Sequence, residues 1–260
     1  MKRLLLGTMA GAVIASSAMA ADLPRKAPPP VAKAPPAPAP VYNWTGCYVA
    51  GGGGYGMWNQ DTTTLNRGVP ESIKMTSGGR GWFGTAGGGC DLQFGARWVI
   101  GAFADYDFAD IKGDQLVPAH NLVGREKERS AWAVGGRIGY VLTPAILAYV
   151  NGGFTEARFS PVHLTSQNIP PVPSVDSIPA HTSSGWFLGG GYEYNLAWLP
   201  GLFWRTEYRY ARYDRDTVPI VVSATGGPTT GSLDNEKFVQ TIRTELVWRF
   251  NWGGPVRAAH

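Results

Sequence analysis

The sequence predicts an all-β fold, an eight-stranded antiparallel transmembrane β-barrel with short periplasmic turns and long extracellular loops. Three observations predict it. The run 236–250, EKFVQTIRTELVWRF, alternates strictly: Phe238, Gln240, Ile242, Thr244, Leu246, Trp248 and Phe250 fall on one face, and Val239, Thr241, Arg243, Glu245, Val247 and Arg249 on the other. Side chains on a strand alternate between faces, so from Phe238 onward one face is apolar and aromatic-ended while the charge lies on the other; a tilted bilayer-spanning strand has this character. Further runs of the same kind are joined by alternately short and long connections. The composition, with 35 Gly, 10 Trp, 11 Tyr and 10 Phe in 260 residues and 16% charged residues, suits strands better than helices.

Taken in order, residues 1–20 have a basic start (Lys2, Arg3), an apolar middle and a small-residue end, Ala18-Met19-Ala20. They read as a signal peptide cleaved between Ala20 and Ala21. Residues 21–42, ADLPRKAPPPVAKAPPAPAPVY, are Ala/Pro-rich and read as an extended periplasmic linker. Of the 23 basic and 19 acidic residues, Lys2, Arg3, Arg25, Lys26, Lys33 and Asp22 lie in these two segments, leaving 18 of each sign. The net charge of +4 is therefore not a property of the folded part, and no basic patch supports a nucleic-acid partner. No later run offers the roughly 18 apolar residues of a membrane helix.

The barrel is predicted over 43–250, with strands near 44–58, 79–94, 96–109, 129–142, 145–159, 184–197, 201–213 and 236–250, and a tail over 251–260. The tight joins are Phe94-Gly95-Ala96, Leu142 to Ala145, and Ala197 to Gly201; the long polar ones lie near 59–78, 110–128, 160–183 and 214–235. The third long one, with Pro161, Pro170, Pro171, Pro173 and Pro179, is not expected to be laddered into a sheet interior. In the third strand Trp98, Ile100, Ala102, Ala104, Tyr106 and Phe108 oppose Arg97, Gly101, Asp105 and Asp107. In the fourth, Trp132, Val134, Ile138 and Tyr140 oppose Gly135 and Arg137. In the sixth, Trp186, Leu188, Tyr192 and Tyr194 oppose Glu193 and Asn195; in the seventh, Trp204, Thr206, Tyr208 and Tyr210 oppose Arg205, Glu207 and Arg209. The first and fifth strands, rich in Gly and Asn, leave their outward faces open. Because hydrocarbon offers an unpaired edge no hydrogen-bond partner, the last strand must pair with the first.

Chemistry is expected inside this wall. Glu193, Arg205, Glu207, Arg209, Arg243, Glu245 and Arg249 form the candidate lumenal charge network, on three consecutive strands. Desolvated charges must be paired, so the network is read as a plug, with the lining of a narrow pore as the alternative. Cys47 and Cys90, near the turn-side ends of the first two strands of an exported chain, are candidates for a disulfide; two unpaired lipid-facing thiols are the alternative. Gly51 to Gly56 matches GxGxxG, but no helix follows to bind phosphate, and close packing explains the glycines better. His120, His163, His181 and His260 lack ligand spacing, and no GxSxG or HExxH motif occurs; neither a catalytic, a cofactor nor a metal site is expected.

Asn43-Trp44-Thr45-Gly46-Cys47-Tyr48-Val49, GWFLGGGYEY (185–194), EYRY (207–210) and RTELVWRF (243–250), behind an Ala20 cleavage end, ADLP and a Pro-rich stretch, carry a resemblance. The chain resembles the small outer-membrane barrel proteins of the alphaproteobacterial, rhizobial-type porin-like group. The resemblance covers nearly the whole mature chain and implies an eight-stranded barrel similar to the OmpA transmembrane domain. That group usually has an aromatic where Cys47 stands and often another near Cys90, which favours the disulfide. It typically ends on Phe, whereas Asn251 to His260 follow Phe250 here. The expected role is structural or surface-interacting, with outer-membrane lipid and lipopolysaccharide, the assembly machinery and surface ligands of the loops as partners. A narrow diffusion channel is the alternative, and a lipid-modifying barrel enzyme a third class.

Overall fold

The computed structural model describes residues 42–168 and 173–250. The expected signal peptide with Ala20 and Ala21, nearly all of the linker, and the tail 251–260 lie outside the described residues. The strands are β1 (Gly46–Asn66), β2 (Val69–Pro70), β3 (Met75–Phe94), β4 (Trp98–Val117), β5 (Leu122–Thr143), β6 (Ile146–Phe159), β7 (Val162–Ser166), β8 (Pro173–Ile178), β9 (His181–Asn195), β10 (Leu202–Tyr213), β11 (Asp216–Val222) and β12 (Pro228–Phe250). A short 3-10 turn, Pro118–His120, separates β4 from β5.

All twelve belong to one antiparallel sheet, in the order β2-β1-β3-β4-β5-β6-β9-β10-β12-β11-β8-β7. β12 also pairs with β1, from Cys47 opposite Phe250 to Asn66 opposite Gly231, so the main circuit of strands returns to its start. The last strand meets the first, as the edge argument requires.

The short joins lie where the sequence puts them. Residues 95–97 turn between β3 and β4, with Gly95 at φ 60°, a left-handed conformation that glycine reaches without a Cβ clash. Arg97 sits in this turn, exposed, where its guanidinium donates to the Tyr140 hydroxyl (3.3 Å). It is therefore not on the inner face assigned to it from parity; the parity argument fails once the chain leaves the ladder.

The opposite ends overturn the expectation. The stretches read as long loops are largely strand, and the sheet has twelve strands rather than eight. β1, β3, β4, β5 and β12 run on through 59–66, 75–78, 110–117, 122–128 and 228–235. Polar residues there, such as Gln60, Thr62, Thr64 and Gln115, face inward, so the hydrophobic alternation that reveals a membrane strand is absent while the ladder continues. Within 160–183, β7 pairs with β5 and β8, and β8 with β11, so this stretch joins the sheet after all. Pro161 and Pro179 stand just outside the two strands and Pro173 at a strand start, positions that cost no ladder donor.

On the turn side the outward residues are apolar: Val49, Ile100, Val134, Ile138, Val150, Leu188, Ile242 and Leu246 are all exposed. Aromatics bound this band. Trp98 and Tyr140 meet edge-on (5.1 Å) near the turns, and Tyr55–Trp82 (4.9 Å), Trp132–Phe154 (5.4 Å) and Tyr106–Phe108 (4.8 Å) mark its far rim. Trp98 to Phe108 is the length expected of a spanning strand, about 9–11 residues. β1 has 21 residues, about 70 Å at 3.3 Å each, and so stands far above such a band.

Inside, one cluster of buried residues (among them Trp44, Trp58, Phe83, Phe103, Phe159, Phe187 and Phe203) packs around the charges, from the turn end to beyond the aromatic rim. In β1 the inward glycines make room for it: a Cβ on Gly54 would lie 2.5 Å from the Phe83 ring, and one on Gly56 2.5 Å from Ile111 Cδ1. A second, wholly apolar cluster (Val117, Val162, Leu164, Ile178, Val218, Ile220, Leu233) lies beneath β7, β8 and β11 at the far mouth.

Candidate functional site

The inward charges fall into layers. In the layer nearest the turns, Glu193 of β9 is completely buried and accepts from three guanidinium groups: Arg137 Nη1 (2.6 Å), Arg205 Nη2 (2.7 Å) and Arg249 Nη2 (2.6 Å). Asp91 of β3 accepts from Arg249 Nη1 (2.8 Å) and takes both Nε (2.9 Å) and Nη2 of Arg137 in a fork. Arg205 reaches Glu245 with its remaining Nη1 (3.3 Å). Three arginines thus meet three carboxylates. The Tyr48 ring lies beside all three cations, 4.7 Å from Arg137 and Arg205 and 5.0 Å from Arg249.

One layer further, Arg209 forks onto Asp105 (3.0 and 2.8 Å) and donates from Nε to Glu207 (3.0 Å). Arg243 donates to Asp105 (3.2 Å) and Asp107 (2.9 Å). Glu207 also accepts from the Tyr149 hydroxyl (2.9 Å) and the Asn151 amide (2.7 Å). Planar forks satisfy several lone pairs at once, which is what lets ions persist where water is scarce.

Above the aromatic rim, Lys237 donates to the fully buried Glu126 (3.0 Å), and its Nζ lies 3.3 Å from the centre of the Phe159 ring. Burial pushes the Lys237 ammonium below its ordinary value and the neighbouring Glu128 carboxyl up to about 8, against the pull of Lys237. Burial also holds His181 below its usual range, outweighing Glu126 at 3.4 Å. Still higher, Gln60, Gln115, Thr62 and Asn235 close a neutral layer of side-chain hydrogen bonds. The apolar cluster under β7, β8 and β11 caps the stack.

All seven residues of the expected network are buried and come together, but their partners are not confined to β9, β10 and β12. Arg243 pairs across the lumen with Asp105 and Asp107 of β4, and Arg249 with Asp91 of β3. Asp91, Asp105, Asp107 and Arg137 were missed as members. Parity had already put the last three on the inner face, and Cys90, Leu92 and Phe94 pointing outward imply the first. The missing step is closure, which brings strands distant in sequence to face each other.

Cys47 and Cys90 stand in register on β1 and β3, joined by a disulfide with a sulfur–sulfur distance of 2.04 Å. Of the four histidines, His181 takes part in the upper lumen; His120 is exposed, 3.8 Å from Glu71. No group of three or more His, Cys, Asp or Glu among the described residues is arranged to hold a metal ion.

No curated protein matches the chain. Among solved structures, it is similar in fold to the outer membrane protein OprG from Pseudomonas aeruginosa, with a TM-score of 0.52 at 12% identity, covering 80% of this chain and 98% of that one. Weaker likenesses are AlkL in DMPC lipid bilayers (TM-score 0.43, 12% identity, 87% of this chain and 100% of that one) and Neisserial surface protein A (0.36, 13%, 77% and 99%). A family model described as "Outer membrane protein beta-barrel domain" matches residues 9–250. The antiparallel sheet joined first strand to last agrees with that match, and the chain belongs to the family: it is an outer-membrane protein of the β-barrel domain family.

Proposed function

We propose that this chain is a structural and surface-interacting barrel that does not conduct. Eight staves, β1, β3, β4, β5, β6, β9, β10 and β12, cross the outer membrane, and their outer ends with β2, β7, β8 and β11 stand outside the cell. We infer further that it is of the rhizobial, alphaproteobacterial porin-like type and similar to the OmpA transmembrane domain. The motifs around Trp44, 185–194 and 243–250 carry that assignment.

The observation that supports a sealed lumen is its filling. Ionic layers, a neutral hydrogen-bonded layer and an apolar cap follow one another along the axis. The space bordered by Tyr48, Arg137, Arg205 and Glu245 is about 10 Å³, roughly the room one water needs. An eight-stave barrel has an interior that side chains can fill. Recording from the refolded protein in planar bilayers tests this: no reproducible conductance steps are expected, and stable unitary steps would establish the narrow diffusion channel instead. We read the chain as non-catalytic on the same ground, each carboxylate of the two ionic layers being engaged by arginine; lipid A or phospholipid turnover by the refolded protein would overturn that reading.

A further inference from the structure

Just beyond the aromatic rim, the outer wall carries a notch. β5 holds an extra residue there: Glu128 lies opposite Phe159 and Ser130 opposite Arg158, so Arg129 has no partner on β6. On the other side the register to β4 slips as well, between Phe108 and Ile111. A bulge re-aims side chains, and here Arg129, exposed, and Ser130, buried, both come to line the notch. The result is a cavity of about 400 Å³ lined by Arg129, Ser130, Arg158 and Thr182, with Tyr106 and Phe108 on its membrane side.

The charges at this notch are unbalanced. Lys112 (2.9 Å) and Lys127 (2.6 Å) both engage Asp110, whose carboxyl they hold below its ordinary value. Among the described residues no carboxylate lies within ion-pair distance of Arg129 or Arg158, and both are exposed. The nearest outward acid along β6 is Glu156, which accepts from the Trp132 indole (3.2 Å). Two free guanidinium groups above a Tyr106–Phe108 pair make an amphipathic seat: forks for a phosphate, rings for hydrocarbon.

We propose that this notch binds the phosphate of an outer-leaflet glycolipid headgroup. Arg129 and Arg158 hold the anion, the Ser130 and Thr182 hydroxyls donate to it, and the first acyl segment lies on Tyr106 and Phe108. The site rests on the proposed orientation, with β7 and β8 outside the cell. It deepens the surface role by naming a lipid rather than a soluble partner.

The test uses the full refolded chain in phosphatidylcholine vesicles doped with bisphosphorylated lipid A or with its dephosphorylated form, the lipid retained after mild detergent extraction being counted by native mass spectrometry. The wild type is expected to keep the phosphorylated form and shed the other. Arg129→Gln with Arg158→Gln should reduce retention about tenfold or more, the loss of two charge-assisted contacts. Arg129→Lys with Arg158→Lys should restore part of it, and Lys112→Gln with Lys127→Gln should leave it unchanged. Equal retention of both lipids, or no loss in the double Gln variant, overturns the proposal. So does binding of the soluble phosphorylated glucosamine disaccharide as tight as that of the lipid, which would make the ligand a free anion. A heat-dependent gel shift, kept in every variant, separates a failed site from a failed barrel.

Discussion

At Glu193 one carboxylate neutralises the approach of three guanidinium groups, more than any other carboxylate of the described lumen. Removing one member of a buried ionic set leaves the others desolvated and unpaired, at a cost of about 3–5 kcal/mol. Glu193→Gln should therefore lower the urea stability of the folded barrel by that order, measured by loss of the gel-shifted form. Glu128 acts in the opposite sense. Its carboxyl keeps its proton in the folded state up to about 8, whereas the unfolded chain releases it near 4.5. Between those values the folded state binds more protons, so this residue contributes a loss of stability as pH rises, of up to about 1.4 kcal/mol per pH unit. Glu128→Gln should remove that slope, and its advantage over the wild type in urea should grow from pH 5 to pH 8; a constant difference would sink the assignment.

Among the elements, β1 is the least typical stave and the one most in need of support. Its run of glycines gives little outward surface, yet it must close the circuit against β12 while packing against β3. Glycines at inward positions admit Phe83 and Ile111, at the cost of stiffness and side-chain contact. The Cys47–Cys90 bond ties this strand to β3 beside the turn end, across a sequence separation of 43 residues. The unreduced protein should carry no alkylatable thiol by mass spectrometry, and two after reduction. Cys47→Ala with Cys90→Ala should lose about 2–4 kcal/mol in the loop-entropy account. The extensions of β4, β5 and β12 have another role: with β7, β8 and β11 they surround an apolar cluster, a second small core.

For the whole molecule, the proposed seal is shared between the ionic layers and the outer cap, so removing either alone should not open a path. Replacing Arg205, Arg209 and Arg243 by Ala together with deletion of 162–178 is expected to produce conductance steps that neither change produces alone. Outward faces were legible in the sequence because a two-residue period of Trp, Tyr, Ile and Leu has few other causes. The short turns were legible for a similar reason, through Gly95, Pro144 and Pro200. The outer strands were not, since inward Gln and Thr satisfy one another only after the circuit closes and carry no periodic apolar signal. Nor was the notch, because a bulge of one residue at Arg129 follows from pairing register rather than composition. By itself, then, the sequence determined the outward faces of the strands that carry a two-residue Trp, Tyr, Ile and Leu period, and seven of the charges within. Tertiary structure alone decided which charges meet, because closure sets β3, β4 and β5 opposite β9, β10 and β12, and partners such as Arg243 and Asp107 stand 136 residues apart.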